Sequence, residues 1–203
     1  YWRRSITQAV LSVRLAEHVL PTLREEAFIA GLLADTGVIM LGQALPKKYK
    51  PILTHYAPMQ SWRLCDKELD LLSMTHGDVS ALVLQKWMLP EVVVMAVRGH
   101  HDMFNHDNES SNQTVQLARI VGAADILSQL LCEKPDEQTL IDRCREAITD
   151  LPINQIGLAR ILEQLQSDIS NLAQLLGIDI VESSVYSRAI EIIRNRLMAE
   201  TAA

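Results

Sequence analysis

Five residues of this 203-residue chain have metal-ligand side chains and lie inside, or at the ends of, segments that are otherwise apolar. They are Asp35, His76, His100, His101 and Asp125. Carboxylates and imidazoles are donors with which proteins hold the divalent cations that activate water. A single histidine at a helix end is more often a packing or capping residue. The adjacent pair His100–His101 is less ordinary, because two imidazoles at one helix end need a partner if both face the core.

Helices are predicted to position all of these residues. Apolar residues recur at helical spacing in almost every segment and no strand hairpin is evident, so we expect an all-α fold. The first helix is expected over about residues 2–19, with Pro21 ending it. A second helix begins near Leu23, is apolar until Gly37 and is expected to be the central helix of the fold.

The remaining metal-ligand types fall on later predicted helices. Thr75 and Asp78 form a T-x-x-D capping pattern, which predicts a helix that starts at His76. The next helix is expected to finish on the paired histidines, and a polar loop follows it. A helix over about 113–131 carries Asp125.

The segment after the second helix is predicted to be irregular because of its prolines, which are Pro46, Pro51 and Pro58. Its short basic cluster, residues 47–50, predicts a solvated turn. A helix over about 62–74 follows. Trp62 and Trp87 are expected in the core rather than on a recognition surface.

Beyond Pro135 the sequence contains amphipathic helices without histidine, and we predict them over about 136–149, 154–175 and 183–200. We therefore divide the chain into a helical domain at 1–135 and C-terminal helices at 136–203. The last helix could pack on the domain, pair with a second copy in a homodimer, or lead into a further domain. The chain begins at Tyr1 without methionine, so we expect that a preceding portion is missing.

Composition excludes several classes of protein. With 48% hydrophobic residues the chain can build a real core, and its net charge of −6 argues against nucleic acid and anionic membranes as partners. Three cysteines without a CxxC motif fit a reducing, cytoplasmic environment. The apolar window 27–45 is nearly long enough to span a membrane, but Asp35 near its middle favours a buried helix.

Four stretches carry a resemblance to a known family: YWRRSITQAV, EEAFIAGLLADTGVIML, THGDVSALVLQKWMLPEVVVMAVRGHH and LARIVGAADIL. Their order and spacing resemble the HD superfamily of metal-dependent phosphohydrolases. They are most similar to its HDOD branch, the HD-related output domain of bacterial signalling proteins. That branch has an aromatic-Trp-basic-x-Ser opening, an HD-x-G signature, a histidine followed by Trp-x-Leu-Pro and paired histidines, and a closing helix with an aspartate. The resemblance covers about residues 1–135 and implies an HD-like helical bundle.

The resemblance also implies a damaged metal site. Catalytic HD proteins have a first histidine on an early helix, an adjacent His-Asp pair, later histidines and a final aspartate. Carried over by position, the first histidine falls on Arg4 and the histidine of the pair falls on Ala34, so both are lost. The other positions keep their residue types, in Asp35, His76, His100, His101 and Asp125, and Gly37 keeps the glycine of the signature.

Alanine offers no lone pair, and arginine is a permanent cation that repels metal ions. We therefore hypothesise that Arg4 takes the place of the metal by pairing with Asp35 and Asp125. Two alternatives remain open. Asp35, His76 and one of the paired histidines could form a residual three-ligand site for a divalent metal, or these residues could simply hydrogen-bond within an inherited core. No other cofactor is expected, and a nucleotide in the vacated cleft is disfavoured because no Gly-rich cradle accompanies Arg4.

The resemblance implies a regulatory module of bacterial signal transduction that does not hydrolyse. Its expected partners are receiver or cyclic-di-GMP-related domains, in the same chain or in another, as in a response regulator. The alternative is a divergent phosphohydrolase that acts on nucleotides or cyclic nucleotides through the residual site. A passive helical scaffold is the third possibility, and the C-terminal helices give it some support.

Overall fold

The computed structural model describes residues 2–56, 61–101, 112–133 and 136–177, together with 187, 188, 190–193 and 195. Every regular element in these ranges is helical, which confirms the all-α prediction. The bounds of the α-helices are α1 Trp2–Val19, α2 Arg24–Leu33, α3 Thr36–Ala44, α4 Pro46–Tyr56, α5 Ser61–Leu72, α6 His76–Lys86, α7 Glu91–Arg98, α8 Gln113–Glu133, α9 Glu137–Ile148 and α10 Gln155–Leu176. A short 3-10 helix, Pro21–Leu23, joins α1 to α2.

Helix α8 is the centre of the fold. All its residues from Ile120 to Leu131 are buried, and α1, α2, α7 and α9 pack around it. A helix that is apolar on every side must be surrounded by other elements. The prediction that the second helix is central is therefore wrong. Helix α2 buries only Ala27, Ala30 and Gly31 completely, and it packs mainly on α1 and α7.

Helix α4 replaces the irregular connection that the prolines predicted. Pro46 is its first residue, where no intrahelical N–H bond is lost, and Pro51 is accommodated on its exposed face. Tyr49 and Ile52, three residues apart, point inward and form a small hydrophobic cluster with Leu41 and Leu64 of α3 and α5. The predicted solvated turn at 47–50 is thus wrong, because burial of these side chains offsets the cost of the prolines. Only the three lysines of that segment are exposed.

The main hydrophobic core includes residues from both sides of the boundary predicted at residue 135. Leu140 and Cys144 of α9 and Leu158 and Leu162 of α10 belong to the same cluster as the residues of α1, α2, α7 and α8. Ile193, in a helical stretch near the C-terminus, is also buried in it. The predicted polar loop after the paired histidines and most of the predicted helix at 183–200 lie outside the described residues.

Helix α6 begins as the capping pattern predicts. Thr75 is its N-cap, and the Thr75 hydroxyl and Asp78 carboxylate form both hydrogen bonds of a capping box. The helix ends at Lys86, and the next residues turn away from the core, with Met88 in the left-handed region at φ 58°. Trp87 is consequently 54% exposed, so the prediction of a core position is wrong. The side chain of Trp62 lies outside the described residues.

By length and composition alone, two segments could cross a membrane, 21–44 and 113–133. In the fold the second of them is α8, whose apolar window is 83% buried by its neighbours. The first is broken into three helices and carries Asp35 at the junction of α2 and α3.

Gly37 is required by a close approach of two helices rather than by the end of a helix. It is the second residue of α3, and a Cβ atom there would lie 2.0 Å from the carbonyl oxygen of His76 and 2.8 Å from its carbonyl carbon. Its N–H donates to Ser80 Oγ at 2.7 Å, and Ser80 Oγ in turn donates to the carbonyl of Ala34 at 2.7 Å. Because Gly37 has no side chain, the turn at Asp35 packs directly against the start of α6.

Substitution Gly37→Ala should therefore destabilise the protein by about 3 kcal/mol, since backbone must move to relieve the overlap. The matched control is Gly42→Ala in the same helix, where the nearest atom to the new Cβ is Tyr49 Cδ1 at 3.9 Å. That variant should be neutral or more stable by up to about 1 kcal/mol. Urea unfolding of the two variants measures the change in unfolding free energy for each. Equal changes would contradict the close approach of Gly37 to the backbone of His76.

Candidate functional site

The fold brings Arg4 and all five metal-ligand-type residues together around the N-terminal end of α6. The residues come from separate elements: Arg4 from α1, Asp35 from the α2–α3 junction, His76 from the first position of α6, His100 and His101 from the turn after α7, and Asp125 from the middle of α8. Asp35 and the three histidines have ligand atoms that lie within 4.8 Å of one another.

Arg4 pairs with both aspartates. Its Nη2 atom lies 2.5 Å from Asp125 Oδ1 and 3.2 Å from Asp35 Oδ2. The side chains of Asp125 and Asp35 are only 1% and 10% exposed, and Gln129 Nε2 also donates to Asp125 Oδ2, at 2.7 Å. Burial would raise the pKa of Asp35, but the Arg4 charge and the neighbouring imidazoles hold it well below its usual range. One guanidinium thus forms an ion pair with each of two buried carboxylates.

His76 is held by a residue that sequence reasoning missed. Glu68 of α5 is completely buried, and its Oε2 atom accepts from the backbone N–H and the Nδ1 atom of His76, both at 2.8 Å. The hydroxyl of Tyr49 donates to the other oxygen, Oε1. A signal was present in the sequence, because Glu68 stands at helical spacing between Leu64 and Leu72 on the apolar stripe of α5.

The second ring nitrogen of His76 contacts His101. The two Nε2 atoms are 2.8 Å apart, and His101 Nδ1 lies 4.0 Å from Asp125 Oδ2. Burial opposes a charge on His76, but its hydrogen bond to Glu68 raises its pKa above the ordinary value. Burial and the two neighbouring histidines lower the pKa of His101 well below the ordinary value. A hydrogen bond in which His76 Nε2 donates to the lone pair of His101 Nε2 agrees with these two directions.

His100 presents a lone pair to the same space. The tautomer with its proton on Nδ1 donates to the carbonyl of Val97 at 2.6 Å and carries its lone pair on Nε2. This Nε2 atom is buried, has no hydrogen-bond partner among the described residues, and lies 3.7 Å from Asp35 Oδ1. Buried polar atoms without a partner are rare and call for an explanation.

These donors fit one divalent cation but not the fuller metal site of catalytic HD proteins. Asp35, His76, His100 and His101 are the residues that would hold such a cation, and the buried Nε2 atom of His100 has no hydrogen-bond partner among the described residues. A bound cation of this kind lowers the pKa of a coordinated water and so supplies a nucleophile. Two features oppose it, because Ala34 is buried and offers no side-chain donor, and the Arg4 guanidinium already lies against Asp35.

The chain matches the family model of the HDOD domain over residues 1–103. No curated protein matches it.

Two solved structures share the fold. The MmoQ response regulator from Methylococcus capsulatus str. Bath superposes with a TM-score of 0.62 at 22% identity, over 79% of this chain and 60% of that one. A proposed phosphohydrolase from Shewanella amazonensis SB2B superposes with a TM-score of 0.53 at 17% identity, over 100% of this chain and 63% of that one. This chain thus spans about three fifths of the length of each of these proteins.

Replacement of Arg4 by methionine should leave two buried carboxylates without a counter-charge and cost about 3 kcal/mol of folding free energy at neutral pH. Because the pKa of Asp35 is lowered in the folded state, its carboxylate stabilises the fold at pH values above its ordinary pKa of 3.8. This contribution is lost as the pH falls below that value. The difference in unfolding free energy between wild type and Arg4→Met should accordingly become smaller as the pH falls below 3.8. Denaturant unfolding at several pH values measures it.

The control is Arg3→Met. Arg3 lies next to Arg4 but is exposed, and its Nη2 atom donates to the carbonyl of Cys132 at 2.9 Å. Its replacement should change the unfolding free energy by no more than about 0.5 kcal/mol. If both variants lost the same stability at every pH, the pairing with Asp35 and Asp125 would not be the cause.

Proposed function

This chain belongs to the HDOD domain family, and we propose that it is a regulatory module of bacterial signal transduction that acts through contacts with other domains and not through hydrolysis. One observation carries the proposal. The Arg4 guanidinium lies 2.5 Å from Asp125 and 3.2 Å from Asp35, the two carboxylates that the family pattern assigns to metal. A cation supplied by the chain itself pairs with both of them.

The arrangement of the site argues against turnover for a physical reason. A hydrolytic metal needs enough protein ligands to bind it and an open position for the nucleophile. Here an arginine and an alanine replace two expected ligands, and the Arg4 guanidinium lies 3.2 Å from Asp35 Oδ2, where it would repel a metal ion. Glu68, His76 and His101 are joined to one another by close contacts between their polar atoms. This network holds α5, α6 and the turn after α7 together.

Partner domains are proposed from the same family membership. HDOD proteins typically carry receiver or cyclic-di-GMP-related domains, and one structure with the same fold is a response regulator. We propose that these partner domains belong to the same chain or to a separate chain. The C-terminal helices are a second proposed contact, between two copies of the chain.

A metal-dependent phosphohydrolase is the second candidate function, and the lone pair of His100 favours it. The Nε2 atom of His100 is buried without a hydrogen bond and lies 3.7 Å from Asp35 Oδ1, as expected for two ligands that share one cation. A structure with the same fold is a proposed phosphohydrolase. The substrate would be a nucleotide or a cyclic nucleotide.

An activity assay separates these two functions. The wild-type chain, loaded with manganese or iron, should not hydrolyse nucleotides, cyclic nucleotides or generic phosphodiesters above the level of its Asp35→Asn variant. That variant removes the charge of the only aspartate in the remaining ligand set and should leave any background rate unchanged. Hydrolysis by the wild type that disappears in Asp35→Asn would refute the regulatory proposal and establish the second candidate.

A binding assay tests the regulatory role directly. The chain should bind a receiver or cyclic-di-GMP-related domain encoded by the same or a neighbouring gene, and titration calorimetry of the purified pair measures the affinity. The Asp35→Asn variant should bind as tightly as the wild type, since contact through the surface does not require the metal-site carboxylate. Absence of binding to every such domain, together with metal-dependent hydrolysis, would contradict the proposed regulatory role.

A further inference from the structure

We propose that Cys65, Glu68 and the Nδ1 atom of His76 form a binding site for a divalent cation of the zinc class. This site is separate from the family's metal site, because it uses the opposite ring nitrogen of His76. It is also independent of the proposed regulatory function, since it requires neither Asp35 nor Asp125.

The three donors already lie at metal-site distances. Cys65 and Glu68 are three residues apart on α5, so both side chains lie on one face of that helix. His76 Nδ1 lies 4.0 Å from Cys65 Sγ and 2.8 Å from Glu68 Oε2, and the three ligand atoms are all within 4.8 Å of one another. Zinc binds thiolate at about 2.3 Å and imidazole or carboxylate at about 2.0–2.2 Å, so two ligands of one ion lie roughly 3–4 Å apart. Small side-chain movements would therefore admit the ion.

The donor types select the cation. A thiolate with an imidazole and a carboxylate suits Zn²⁺ or Co²⁺ rather than Mg²⁺ or Mn²⁺, which prefer oxygen ligands. Thiolate and carboxylate together carry two negative charges, which balance a divalent ion in a buried position. Glu68 is fully buried and Cys65 is half-buried, so the fourth coordination position can be taken by water from the side of Cys65.

The residues around these donors supply the outer hydrogen bonds that bound metals require. The hydroxyl of buried Tyr49 donates to Glu68 Oε1, which leaves Oε2 directed at His76. The other ring nitrogen of His76 is hydrogen-bonded to His101 at 2.8 Å. Carboxylate and imidazole ligands of metal ions are oriented by such partners, and their loss typically weakens binding. Both oxygens of Glu68 and both nitrogens of His76 are thus already oriented.

Binding would replace protons by the ion. The cation forms bonds to Cys65 Sγ, Glu68 Oε2 and His76 Nδ1, and it displaces the thiol proton of Cys65 and the Nδ1 proton of His76 into solvent. His76 then carries its remaining proton on Nε2, where it continues to donate to His101. The ion would fasten α5, and with it the small cluster around Tyr49, to the start of α6.

Cobalt titration of the metal-free chain tests the site. We expect one Co²⁺ per chain with a thiolate-to-cobalt charge-transfer absorption, and its displacement by Zn²⁺. Cys65→Ser should abolish this absorption, whereas Cys132→Ser, at another half-buried cysteine, should retain it. Tyr49→Phe should keep the absorption but weaken zinc binding by about 10-fold to 100-fold.

The Asp35→Asn variant distinguishes this site from the family's site, and it should keep the thiolate absorption unchanged. Three results would overturn the proposal: no charge-transfer absorption in the wild type, an absorption that survives Cys65→Ser, or its loss in Cys132→Ser or Asp35→Asn. The wild-type spectrum needs no variant to fold. None of these outcomes depends on hydrolysis or on partner binding, so the proposed function can fail or hold separately.

Discussion

The burial of two carboxylates beside each other is the constraint on which this structure depends. Asp125 lies in the middle of the most buried helix, and Asp35 interrupts an apolar run between α2 and α3. Two like charges cannot be removed from water together unless a counter-charge accompanies them. The Arg4 guanidinium provides it and in doing so fixes three parts of the chain: the start of α1, the α2–α3 junction and the centre of α8. Helix α1 accordingly packs against both α2 and α8.

A second polar connection joins the two hydrophobic clusters of the protein. Tyr49 belongs to the small cluster of α3, α4 and α5, and it reaches His76 through Glu68. His76 in turn contacts His101, which faces Asp125 of the main core. Each hydrogen bond in this series satisfies a group that burial would otherwise penalise. This series of contacts links α4 and α5 to the groups around Asp125.

The sequence predicted local structure well where the signal was local. The bounds of α1 and the capping box at Thr75 follow from residues within one or two turns of each other. Prediction from the sequence was wrong where burial in the tertiary structure overrode a local signal. The prolines around Lys47 indicated an irregular segment, but Tyr49 and Ile52 gain enough from packing to make it a helix. Trp87 is large and aromatic, yet the turn at Met88 leaves it exposed.

The sequence by itself determined the helical class and the set of metal-ligand residue types, because residue identity and short-range periodicity carry that information. The loss of two ligands at Arg4 and Ala34 was implied by the resemblance to the HD superfamily. Only the tertiary structure decided which helix is central, that Arg4 contacts both aspartates, and that Glu68 and Tyr49 hold His76. Those contacts join residues up to 121 positions apart. No periodicity within a helix specifies which distant residue will face it. That pairing is set by packing and by the need to satisfy every buried charge.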